Sequence, residues 1–238
     1  MDSNSKASFI IGVFLLLSFI VLGASIKSGV EKFKAFERTV TVKGLSEREV
    51  PADLAIWPIT YTTASNALSE LYDELEKDQK IVKRFLTNLG FEDKEITLSI
   101  PLIVDKLARQ YGNSNQVPFR FTASQSITVC SKKVELVKEG MKRLIELGKQ
   151  GIIFSGNEYE NRPQFLFTKL NDIKPKMIEE ATIKARQVAI KFAKDSDSKL
   201  GKIKRARQGQ FSIRDRDENT PYIKKVRVVS TIEYYLVD

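Results

Sequence analysis

Residues 9–26, FIIGVFLLLSFIVLGASI, carry no charge, and Ser18 and Ser25 are their only polar side chains. At a rise of about 1.5 Å per residue they make a helix of about 27 Å. That nearly matches a hydrocarbon core of roughly 30 Å. Everything after this run is polar, mixed and globular in pattern. The expected organisation is a short cytoplasmic tail (1–8), a transmembrane signal-anchor helix (9–26), a linker (27–37) and one α+β domain (38–238). A cleaved secretory signal competes for the same run. Such a signal has a basic start, an apolar centre of about 7–15 residues and a small-x-small exit. Here the start, MDSNSKAS, sets one Lys against one Asp, the centre is longer, and Leu22 occupies a position that wants a small residue. The uncleaved anchor is the preferred reading, with a cleaved, soluble product as the alternative.

Orientation is contested by charge. Lys27, Lys32, Lys34 and Arg38 follow the run, while Lys6 and the amino terminus precede it. Counted alone, these residues would keep the domain in the cytoplasm, although long domains translocate largely regardless of flank charge.

The chain has no His, and Cys130 is its one thiol. That excludes His-based metal sites, Ser-His-Asp and Cys-His nucleophilic systems, CxxC redox pairs and any intrachain disulfide. In an alternating apolar run, Cys130 is expected to be a small buried hydrophobe. The net charge of +9 fits nucleic acid, anionic headgroups or a plain basic surface. Its densest patch is 199–216. Flat alternation there puts Lys202 and Lys204 on one face and Arg205 and Arg207 on the other, whereas nucleic-acid binding favours gathered charge with interleaved aromatics. Attraction to anionic lipid next to the anchor is a further possibility. Asp215, Asp217 and Asn219 imitate the start of a calcium loop, but Thr220 and Val226 stand where Gly and Glu are required, so a solvated turn is expected. There is no GxGxxG, GxxxxGK[ST] or GxSxG. Catalytic, cofactor-binding and metal residues are therefore assigned to none, and the chain is read as no enzyme.

Val40 and Val42 begin a half-buried strand that Gly44 is expected to break. Pro51 precedes a second strand, 52–63, in which Pro58 points to an edge or a bulge. A helix capped by Ser65 or Asn66 ends at Gly90, with Leu68, Leu75, Val82 and Leu89 recurring every seven residues. Strands follow around Ile96–Leu98 and at 117–131, separated by a polar loop at 105–116. A helix with Val134, Val137, Met141 and Leu144 on one face ends at Gly148 and Gly151. Strands 152–160 and 164–170 turn at Asn161, Arg162 and Pro163. The helix at 172–197 carries Ala181, Ala185, Ala189 and Ala193 four apart, a row that permits close packing. Strands 202–213 and 222–237 complete a ββα, ββα, ββα, ββ order. The fold class is α+β: ββα units, antiparallel sheets with helices packed on one face, preceded by one N-terminal transmembrane helix.

Two stretches carry a family resemblance. VTVKGLSEREVPADLA (40–55) resembles the opening of SIMPL-domain proteins, with Gly44, Pro51 and Asp53 at the pattern's positions. The Ala-rich helix running into SKLGKI (198–203) is similar to that family's later signature, with Leu200 and Gly201 in place. Trp57 and Pro58 depart from its usual aliphatic strand. The resemblance implies a bacterial inner-membrane protein, single-pass, with its C-terminal domain in the periplasm. It further implies a homo-oligomer linked to oxidative or envelope stress tolerance, with no catalytic residues. The expected function is thus a non-enzymatic, self-assembling, membrane-anchored extracytoplasmic domain. Its partners are the membrane and copies of itself, with no nucleic acid, no cofactor and no small-molecule ligand that can be named. The alternative is a periplasmic ligand-binding or substrate-handling domain using carboxylates or the 199–216 patch.

Overall fold

The structure, a computed structural model, describes residues 3–35, 38–108, 118–155 and 162–237. Helix α1 (Ser3–Ala35) contains Ile11–Val30, a stretch long and apolar enough to cross a membrane and buried against nothing in the chain. Ser18 and Ser25 donate their hydroxyls to the carbonyls of Phe14 and Val21. Folding those hydroxyls back onto the helix removes the side-chain polarity of residues 11–26 from the lipid-facing surface.

The remaining elements are β1 (Thr39–Pro51), β2 (Leu54–Ser65), α2 (Leu68–Leu89), β3 (Ile96–Leu98), β4 (Leu102–Asp105), β5 (Phe121–Ser131), α3 (Val134–Lys142), α4 (Ile145–Lys149), β6 (Gln164–Leu166), α5 (Leu170–Asp195), β7 (Lys199–Gln208), β8 (Ser212–Asp215) and β9 (Ile223–Val237). They form two compact units.

The first unit holds residues 1–47, 173–212 and 227–238. Its strands come from a sheet ordered β1-β9-β7, in which β8 also pairs with β9. The four alanines of the α5 row, Ala181, Ala185, Ala189 and Ala193, are all buried, and Ala185 and Ala189 pack with Val42, Ile232 and Tyr234 of this sheet. Methyl-sized side chains let the helix backbone approach the strands closely, as the spacing predicts.

The second unit holds residues 48–172 and 213–226. Its sheet is ordered β3-β5-β2-β6, with β4 pairing β5 beyond β3. Strand β2 alternates strictly: Ala55, Trp57, Ile59 and Tyr61 face the core, and their neighbours are half-buried. Helix α2 covers β2 and β5 with Leu71, Leu75, Val82, Phe85 and Leu86. Leu68, the first residue of the seven-residue repeat, stays exposed, because a 3.6-residue helix drifts off a 3.5-residue stripe. Pro58 is tolerated inside β2 because β6 pairs only Leu54–Ile56, leaving β2 unpaired by β6 at residue 58.

Four expectations need correction. Gly44 does not end its strand; β1 runs on through it to Pro51. Cys130 is exposed, because Val129 and Ser131 take the inward positions of β5. The helix after Val134 is broken at Arg143 and Leu144 into α3 and α4. The strand expected over 202–213 is two strands, interrupted at Gly209. Most of the expected 105–116 loop and the end of the 152–160 strand lie outside the described residues; Phe154 bridges Tyr61.

Candidate functional site

The motif residues of the sequence act as structural fittings. A Cβ on Gly44 would lie 1.8 Å from the Ala181 carbonyl oxygen and 2.6 Å from the Ala185 nitrogen. Glycine is what lets β1 touch the backbone of α5. Two residues on, Ser46 donates to the Glu180 carboxylate at 2.8 Å. The carboxylate of Asp53 accepts from the Thr168 N–H at 2.8 Å and its hydroxyl at 2.9 Å, fixing the chain between β6 and α5. Pro51 ends β1, and the next residue, Ala52, donates its N–H to the Tyr222 carbonyl. Leu200 packs on the first unit's core, and Gly201 lies where a Cβ would meet the Tyr235 carbonyl at 2.9 Å. Gly44 and Leu200 meet the same core of the first unit, while Asp53 serves the second unit.

One concave surface of the second unit lies between β6 and the 215–224 turn. A cleft of about 610 Å³ is lined by Arg162, Phe165, Asp215, Glu218 and Lys224. A second, of about 640 Å³, continues past Pro221 to Lys138 and Met141. Tyr222 anchors the wall: its ring meets Phe165 edge-on at 6.0 Å, and the Lys138 ammonium sits 3.8 Å from its centroid. The Lys224 side chain is only 9% exposed and bonds the Asp215 carboxylate. The expected 215–219 turn is present. Asp217 accepts from the N–H groups of Asn219 and Thr220 and from the Thr220 hydroxyl. The Thr220 and Arg216 hydrogen bonds hold its carboxyl at about 2.

Sequence reasoning missed Lys224, although strand parity carried the signal. Lys224 shares its face of β9 with Val226 and Val228, both buried. It also missed Glu95. Burial alone would raise this carboxyl, but the Glu92 N–H (2.9 Å), the Ser131 hydroxyl (2.6 Å) and the Lys133 ammonium (3.0 Å) outweigh it and hold it at about 2. Among the described residues no group of three or more His, Cys, Asp or Glu is arranged to hold a metal ion. The basic patch is divided: residues 199–207 lie on β7, whereas Arg216 pairs with Asp217 and Glu49 in the second unit.

Two antiparallel sheets with helices laid on them, behind an apolar N-terminal helix, define an α+β protein with one candidate membrane span. The profile of the SIMPL family, described as a protein of unknown function (DUF541), matches residues 40–231, and the chain belongs to that family. No curated protein matches it.

Proposed function

We propose that this chain is a membrane-anchored, extracytoplasmic, non-enzymatic SIMPL domain that assembles with copies of itself and supports tolerance of envelope or oxidative stress. Stress tolerance, the extracytoplasmic location and the absence of catalysis rest on the family resemblance. Self-assembly is carried by one observation, the edge formed by β3 and β4 along β5. Both strands pair with β5 on the same side, interrupted at Ser99–Pro101. Leu98, Ile100 and Leu102 are exposed there, Ile100 by 92%. None of the three is charged; Pro101 and the shortness of β3 and β4 oppose strand addition, so it is the side chains of this apolar ridge that would pack on a second copy. Burying Ile100 and Leu102 against a second copy is worth about 3–6 kcal/mol.

Light scattering on the full chain in detergent micelles tests this reading. The wild type is expected to be multimeric, and Ile100→Asp with Leu102→Asp to dissociate at least about a hundredfold more readily. A wild-type chain that stays monomeric at high concentration sinks the reading.

A ligand-handling domain is the second reading, favoured by the carboxylates of Asp215, Asp217 and Glu218 that share the 610 Å³ cleft with Arg162 and Lys224. Lys224 is already paired with Asp215, so the remaining acidic groups suit a small organic dication such as putrescine. A rise in melting temperature with that compound, lost in Glu218→Gln, would support it.

A further inference from the structure

Every residue of β7 from Lys202 to Gln208 is exposed. A strand of a two-layer unit ordinarily buries one face. Here the strand is at the sheet edge, paired with β9 alone, and irregularities between Leu200 and Ile203 and between Ile203 and Arg205 disrupt its alternation. The register keeps Arg205 and Arg207 on the face of Glu233 and Thr231, while Ile203 and Ala206 share the face of Tyr234 and Ile232, so side chains of both faces reach solvent along this open edge. Lys199, Lys202, Lys204, Arg205 and Arg207 all reach solvent, with no carboxylate among residues 199–207. Lys204 meets Glu233 on β9 at 3.1 Å. Ile203, 44% exposed, is flanked along the chain by Lys202 and Lys204 at this edge. A charged, bulged edge also deters strand pairing, but one or two lysines suffice for that. The excess extends beyond the strand: residues 173–212 carry eleven Lys and Arg against four Asp and Glu.

The chain limits how far the start of β7 can lie from the apolar span. Strand β1 begins at Thr39, nine residues past the end of the apolar span at Val30. At about 3.6 Å per residue, the sheet starts within about 30 Å of the bilayer that this span would cross. The start of β7 lies at that same end of the sheet. The Leu236 N–H donates to the Arg38 carbonyl at 2.8 Å, the Arg38 guanidinium donates to Ser198 at 2.8 Å, and Lys199 faces Val237.

We infer that β7 is an electrostatic foot that rests on the acidic phospholipid headgroups of the bilayer crossed by α1, with Ile203 entering the interface. The inference rests on the anchored reading of α1. Long Lys and Arg stems can lie along the interface while their charges meet phosphate. Near an anionic surface each cation shifts docking about fivefold.

The test uses the full chain in nanodiscs with brominated acyl chains, either phosphatidylglycerol with phosphatidylethanolamine or phosphatidylcholine alone. Ile203→Trp supplies a reporter, because the single native tryptophan, Trp57, is 1% exposed in the second unit's core and gives a constant background. Quenching of the introduced indole is expected to be at least about twofold greater in the acidic discs. It should fall to the phosphatidylcholine level in 1 M NaCl, where the screening length is about 3 Å. Lys202→Gln, Arg205→Gln and Arg207→Gln together should weaken docking about a hundredfold. Ala206→Trp repeats the measurement from a second exposed position, and far-UV melting confirms that each variant folds. Equal quenching in both lipids, or none in either, overturns the foot while α1 remains embedded. A chain that separates from the discs on flotation overturns the anchored reading and the foot with it. Binding of a labelled oligonucleotide that the triple variant loses, without lipid-dependent quenching, would reassign the strand to nucleic acid.

Discussion

At the scale of single residues, two glycines with the same letter have opposite roles. Gly44 lies against backbone atoms of α5 that cannot swing aside, so Gly44→Ala must push strand and helix apart. Overpacking of this kind costs about 1–3 kcal/mol or more. Gly148, inside α4, has open space where its Cβ would go. Replacing it with Ala removes backbone freedom from the unfolded chain and should stabilise by about 0.5–1 kcal/mol. Urea unfolding of both variants checks the pair. A tolerated Gly44→Ala would mean that the contact between β1 and α5 is looser than the geometry implies. The motif position of Gly44 was legible from the sequence, but its purpose was not. Glycine reads first as a strand breaker, and only the four-alanine row on a helix about 140 residues later explains why a strand should pass through it.

At the scale of elements, the alanine row, the stripe on α2 and the alternation of β2 were legible because each places one residue type at a fixed period. Elements that depend on a neighbour were not. The apolar spacing from Val134 to Leu144 suits one helix, and nothing local announces the break at Arg143. The parity of β5 pointed outward at Cys130, yet the general tendency of cysteine to be buried suggested the reverse. Likewise, no local pattern marks Glu95 as the joint between three elements. From its 3₁₀ turn (Asp93–Glu95) it reaches Ser131 at the end of β5, and through Lys133 it reaches the Gly90 carbonyl that ends α2. A carboxyl held at about 2 when folded, against the usual 4.5, binds its proton more weakly in the folded state than in the unfolded. The stabilisation is complete above pH 4.5 and disappears as pH falls from 4.5 towards 2. With the side chain 13% exposed, its size is about 1–3 kcal/mol. Wild type should therefore exceed Glu95→Gln in chemical stability at pH 6 and converge with it near pH 2. A gap that stays constant across that range would show that the three-way joint does not form.

At the scale of the whole molecule, charge and family resemblance point the globular part to opposite sides of the membrane. Lys27, Lys32, Lys34 and Arg38 argue for the cytoplasm, while the family resemblance argues for the periplasm, and charge alone does not decide because long domains cross largely regardless of it. The exposure of Cys130 turns this into a measurement. It is the only thiol in the chain, it lies on an outward position of β5 opposite Ile56, and it is open to reagent. In bacterial spheroplasts expressing the full chain, a membrane-impermeant maleimide should label the protein before lysis if the domain is extracytoplasmic, and Cys130→Ser should abolish the signal. Labelling after detergent solubilisation confirms that the thiol is reachable in the folded protein. A chain labelled only once the membrane is opened places the domain in the cytoplasm. The flanking cations would then have dictated topology, and the extracytoplasmic reading would fall while the anchor, the β3–β4 edge and the basic strand kept their separate tests. Labelling in spheroplasts with the chain resistant to alkaline extraction would instead mean that one uncleaved helix carries a net-basic body outward against its own flanking charge.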